Sequence, residues 1–215
     1  MGRLFFVSLF IGFSAAAQPS IKGGLETFIK DNTVYPPYSL ANCIQGTVRV
    51  GFKLNKAGEV FFSAVKSGIG TDLDDEALRL IRMSSGHWIV PEGTDTAALL
   101  LVPVNFKLEG YNCEYKNKAE IQRAIIAYKA SEGMSNVIQN FYKNKEKGNY
   151  NKEEEPKMVA LRAELGYTED FMQQKIKDAM KKLKQKDKQG ACEDLLFVKN
   201  MGFDLADELL KKYCN

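Results

Sequence analysis

Gly46-Thr47-Val48-Arg49-Val50-Gly51-Phe52-Lys53-Leu54, then Asn55-Lys56-Ala57-Gly58, then Glu59-Val60-Phe61-Phe62-Ser63-Ala64-Val65, is the stretch that decides the fold. Val48, Val50, Phe52 and Leu54 alternate with Thr47, Arg49, Gly51 and Lys53, the period of a strand with one face in a core. The Asn-Lys-Ala-Gly run is a turn, and Val60 to Val65 is a second strand, so the pair forms a hairpin. Downstream, Leu73, Ala77, Leu80 and Ile81 lie on one face of a helix capped by Thr71 or Asp72. Asp74, Asp75 and Glu76 fall in its first turn, where they suit the helix dipole. Leu100, Val102, Val104, Phe106 and Leu108 then alternate as a third strand. Upstream, Leu25, Phe28 and Ile29 mark a short helix.

The chain has 215 residues, 45% apolar and 27% charged, with a formal net charge of +3. This is ordinary globular composition and excludes collagen, a long disordered chain and a multi-span membrane protein. The charge is too balanced to point to nucleic acid as a partner. The density of charged side chains nearly doubles after Cys113, and of the 6 prolines only Pro156 lies beyond it. Strand-like alternation stops there too. Helical stripes follow, at Ile121, Ile125 and Tyr128, at Val137, Ile138 and Phe141, and at Met172, Ile176, Ala179, Met180 and Leu183. Leu195, Val198 and Met201, with Leu205, Leu209 and Leu210 beyond Gly202, read as a terminal helical hairpin. The expected organisation is a signal segment over 1–17, an α+β domain over 18–110 and an all-α domain over 114–215.

The signal is read from Arg3, the apolar run Leu4 to Phe13 and the small residues Ala15, Ala16 and Ala17, with cleavage before Gln18. Export places the four cysteines in an oxidising compartment, where an even set implies two disulfides. If strand three runs antiparallel to strand one, the order is two-one-three, which keeps the helical crossover between parallel strands two and three. Cys43 and Cys113 then flank neighbouring strand ends and are expected to pair. Cys192 pairs with Cys214 across the terminal hairpin, cross-domain bridging being the alternative. No two cysteines sit at zinc-knuckle spacing, and no metal ligand set is assigned.

Leu25-Glu26-Thr27-Phe28-Ile29, Tyr35-Pro36, Gly46 to Val50, Gly58-Glu59-Val60, Leu73 to Leu78, Trp88 and Val102-Pro103-Val104-Asn105-Phe106, in this order and spacing, resemble the C-terminal domain of the TonB family. The resemblance runs from about Ile21 to Leu108. It implies a small three-stranded antiparallel sheet with a helix on one face. It also implies a periplasmic, non-enzymatic protein that holds a short peptide of an outer-membrane transporter. Energy-transducing members keep an uncleaved membrane helix and a Pro-rich spacer. This sequence is read as having neither, so the resemblance implies the binding half of that role without the motor half. More weakly, Gly190-Ala191-Cys192, Met201-Gly202 and Lys212-Tyr213-Cys214 resemble Sel1-like or tetratricopeptide-like hairpins, which serve protein contacts.

Strand three is then an edge strand, and Pro103 agrees, because proline is tolerated at a sheet edge and not at its centre. Leu99, Leu101, Asn105 and Lys107 share its parity and form the expected peptide-binding row, with Tyr35 and Pro36 as a groove wall. Against this stands the reading of Pro103 as a guard against aggregation and of the Tyr35 to Tyr38 run as a rigid turn. A homodimer through the same edge is a further expectation. His87, the only histidine, is read as structural. Lys175, Lys177, Lys181, Lys182, Lys184, Lys186 and Lys188 form a basic stretch, read either as a solvated helix face or as a contact with anionic membrane. No Ser/His/Asp set, phosphate loop or cofactor motif is present, and no cofactor is expected. The alternative to a peptide binder is a periplasmic scaffold that acts through its helical domain.

Overall fold

A computed structural model of the chain describes residues 18–214. The signal segment Met1 to Ala17 lies outside them. The sequence hairpin is strands β2 (Gly46–Leu54) and β3 (Val60–Ser67). In chain order it is preceded by β1 (Ser20–Ile21) and helices α1 (Leu25–Asn32) and α2 (Pro37–Ala41). It is followed by α3 (Asp72–Met83), β4 (Trp88–Ile89) and β5 (Leu100–Phe106). The main sheet has the order β3-β2-β5 and is antiparallel at both junctions, so the fold is α+β with the hairpin's first strand in the middle.

Alternation decides which face is buried. Val48, Val50 and Phe52 are completely buried, as are Leu73, Ala77, Leu80 and Ile81 of α3, which cover that face. Trp88 packs on Phe52 with ring centroids 5.0 Å apart and donates its indole N–H to Ser84 Oγ at 2.8 Å. The α3 N-terminus has no side-chain cap, and its acidic residues bind the preceding chain. Neither Thr71 nor Asp72 caps it through a side chain. Asp74 instead accepts from the backbone N–H groups of Ile69 and Gly70, both at 2.9 Å. Asp72 is drawn away by the backbone N–H of Tyr38 (3.0 Å) and by the hydroxyl of Ser39, which ties α2 to α3.

Beyond the sheet come α4 (Lys118–Glu146), a 3-10 turn, α5 (Glu155–Glu164), α6 (Glu169–Lys184), α7 (Lys188–Asn200), a second 3-10 turn and α8 (Asp207–Tyr213). The two helices suggested by the stripes around Ile121 and Ile138 are one helix of 29 residues, opened by a capping box between Asn117 and Glu120. Gly133 inside it costs only about 1 kcal/mol, too little to break a helix packed at both ends. Ile121, Ala124 and Ile125 pack against the sheet cluster. Ile138 and Tyr142, further along α4, belong to a second cluster with Met172, Ala179, Leu195, Val198 and Met201. One helix therefore contributes to both cores. Tyr38 adds to the junction, donating its hydroxyl to Ala124 O at 2.7 Å and stacking on Tyr128.

The structure pairs Cys43 with Cys113 and Cys192 with Cys214, each with Cα atoms 5.6 Å apart. Among the described residues, no helix is long and apolar enough to cross a membrane.

Candidate functional site

The sheet has two edges, and they differ. The β2–β5 ladder runs without a register shift from Gly46↔Phe106 to Phe52↔Leu100. Strand residues alternate between turning both main-chain polar groups toward the neighbour and turning both away from it. Pro103 has no N–H, so its position opposite Arg49 belongs to the outward set. Leu101 and Asn105 share that parity within the strand, and Leu99 and Lys107 extend it. Among the described residues, β5 pairs with β2 alone. All five of these side chains are exposed, Leu101 at 62%.

The side chains of this row stand on the sheet face away from α3. Lys53 pairs with Phe62 and Gly51 with both Ala64 and Leu101, so Phe62, Leu101 and neighbouring Leu99 make that face partly apolar. Thr47 donates its hydroxyl to Asn105 Oδ1 at 2.7 Å across the strands. The strand's far end is fixed. The backbone N–H of Leu108 donates to Gln45 Oε1 at 2.8 Å, the Cys43–Cys113 bridge follows, and the Lys116 ammonium donates to Ala41 O at 2.7 Å.

Tyr35 and Pro36 are not part of the row. The Tyr35 ring packs edge-on against Phe106, whose side chain points to the buried face. Its hydroxyl donates to Ile44 O at 2.5 Å. Pro36 precedes α2, and Pro37 occupies its first turn. Burial, with a smaller effect from the Asp72 carboxylate, pushes the Tyr35 phenol up to about 12 from the ordinary 10.0. The folded chain therefore holds this proton more tightly than the unfolded chain. Its contribution is intact below pH about 10 and is lost as pH rises from there through about 12. Tyr35→Phe is expected to remove that alkaline loss and to cost about 1 kcal/mol below it, for the missing hydrogen bond. Urea denaturation across this pH range checks both effects.

The remaining candidates fall elsewhere. His87 is exposed and its ring lies 5.6 Å from that of Phe28. Of the seven lysines, Lys175 and Lys182 turn inward to the buried Asp194, at 3.6 and 2.6 Å. Lys177, Lys181, Lys184, Lys186 and Lys188 are exposed. Among the described residues, no group of three His, Cys, Asp or Glu is placed to hold a metal ion. Sequence reasoning missed Gln45, which extends the β5 ladder through its side chain. A polar residue just before a strand gives no periodic signal.

Residues 31–108 match the family model described as Gram-negative bacterial TonB protein C-terminal. The match ends at Leu108, directly after β5, and begins within α1, so Leu25 to Ile29 lie ahead of it. No curated protein and no solved structure matches the chain.

Proposed function

We propose that the chain is a non-enzymatic periplasmic binding protein whose β5 edge takes an extended segment of an envelope protein as an added strand, the most fitting partner being a TonB-dependent outer-membrane transporter. The observation that carries this reading is the long, unshifted and exposed β5 edge within a segment that matches the TonB C-terminal family. Main-chain donors and acceptors at Leu101 and Asn105 supply affinity, and alternate side chains of the guest supply selectivity. Pro103 withholds one donor midway, so the guest pairs on either side of a gap. Leu99, Leu101 and Phe62 favour an apolar side chain on the outer face. Tyr35 backs the strand from the other side through Phe106, with Pro36 beside it in sequence. The residues after 113 form an adaptor domain for a second partner.

The test is capture of outer-membrane transporters from solubilised envelope by the chain and by Leu101→Pro. Proline at 101 removes an outward donor and leaves the β2–β5 bonds in place. Capture by the parent chain and loss by a variant with unchanged circular dichroism is the expected result. Equal capture by both rejects the β5 edge as the binding element.

A further inference from the structure

The opposite edge of the sheet is occupied at its middle, and what occupies it is a side chain shaped like a peptide bond. Ser63 of β3 lies opposite Phe52, 2% exposed. Its backbone N–H donates to Gln189 Oε1 at 2.8 Å, and its backbone C=O accepts from Gln189 Nε2, also at 2.8 Å. A primary amide offers one carbonyl acceptor and two N–H donors. Here it makes the pair of bonds that the main chain of an added strand would make. Gln189 stands in the first turn of α7. The Asp187 cap, which accepts from the Gly190 N–H at 2.7 Å, fixes that turn.

A second set of contacts holds the amide in place. Arg82 of α3, only 7% exposed, donates through Nε to Ser63 Oγ at 2.8 Å. Its Nη1 and Nη2 both reach the Glu193 carboxylate at 2.8 Å. The same carboxylate accepts from Gln189 Nε2 at 3.0 Å. Glu193 lies one turn beyond Gln189, so two residues of one helix face close on one strand position. Nearer the hairpin, the Val60 N–H is taken by Ser85 Oγ at 3.0 Å. The β2–β3 ladder also carries a register irregularity at each end. Such devices blunt an edge against pairing. On β5 the register is unbroken, and among the described residues no side chain serves as a plug.

We propose that α7 is a built-in cap on the β3 edge, with Gln189 as a strand mimic, and that removing the cap opens a second edge that pairs with a second copy of this chain. In the intact protein, strand addition is thereby confined to β5. The partner is self because the uncovered edge is identical in every copy and antiparallel edge pairing satisfies both at once.

The test compares the full chain with Gln189→Ala and with Gln189→Ala/Glu193→Ala. Hydrogen exchange at the Ser63 amide and mass by light scattering over a range of concentrations are the readouts. At least tenfold faster Ser63 exchange in both variants and a concentration-dependent dimer in the double variant are expected. Adding Leu101→Pro to the double variant leaves that dimer intact, because it forms through β3. Unchanged Ser63 exchange, a double variant that stays monomeric, or a dimer that Leu101→Pro abolishes each overturns the proposal. The single variant keeps the Arg82–Glu193 pair, so the exchange result stands even where the double variant fails to fold. None of these readouts needs a captured peptide, so failure of the β5 binding role and failure of the cap remain separable.

Discussion

A chain carrying Cys43→Ala and Cys113→Ala is expected to lose about 4 kcal/mol of stability, read from its urea denaturation midpoint together with a steeper slope, because the unbridged unfolded chain expands. The bridge spans a sequence separation of 70, so it restricts a large part of the unfolded chain. It also joins the turn after α2 to the segment that leaves β5, across the end of the β2–β5 ladder. Cys43 has φ 53, a left-handed conformation that most residues avoid. Cys43→Gly with Cys113→Ala is therefore expected to recover about 1 kcal/mol of the loss. The second bridge closes a separation of only 22 and is expected to matter less to the sheet, because it lies within the terminal helical hairpin. Hydrogen exchange at Leu108 gives the local view. Its protection falls in the double variant if the bridge holds the end of β5 in register.

Gly58→Ala is expected to be nearly as damaging, at about 3 kcal/mol. Gly58 has φ +76 in the β2–β3 turn, and an added Cβ would lie 2.2 Å from the carbonyl oxygen of Trp88. Backbone cannot yield as a flexible side chain can. The Gly58 carbonyl also accepts from the Gly86 N–H at 2.8 Å, so the hairpin tip is fastened to the segment carrying β4. Trp88 is the single tryptophan, which makes its emission a clean report of this junction. A red-shifted emission with a lowered melting temperature is the expected result. Gly86→Ala is the control. It shares a positive φ, +81, but nothing lies within 4 Å of its added Cβ, so the cost is the conformational one alone, about 1 kcal/mol.

The main sheet and α3 were legible because each has one buried face and a period that says so. Val48 to Leu54 gives the central strand, Leu73 to Ile81 the helix over it, and Pro103 marks the edge. The strand order then placed Cys43 beside Cys113. Other features had no such signal. The two-residue strands β1 and β4 are too short to show any alternation. The separate stripes around Ile121 and Ile138 read as two helices, whereas packing at both ends keeps α4 continuous. The run Tyr35 to Tyr38 reads from the sequence as either a rigid turn or a groove wall, and the tie of Tyr35 to Ile44 depends on tertiary geometry. Gln189 was invisible for the same reason. Its role follows from a strand 126 residues away, and an amide in a polar helix turn has no pattern of its own.

The position of the Cys43–Cys113 bridge has a consequence for covalent continuity. The segment 90–99 between β4 and β5 is largely exposed and lies within the loop that this bridge closes. A protease that cut there would sever the backbone without producing two molecules. The piece bearing β2, β3 and α3 would stay attached to the piece bearing β5 and the helices by a single sulfur–sulfur link. The outermost strand would keep its place through its ladder and that link, and the fragments would run apart only under denaturing conditions with a reductant present.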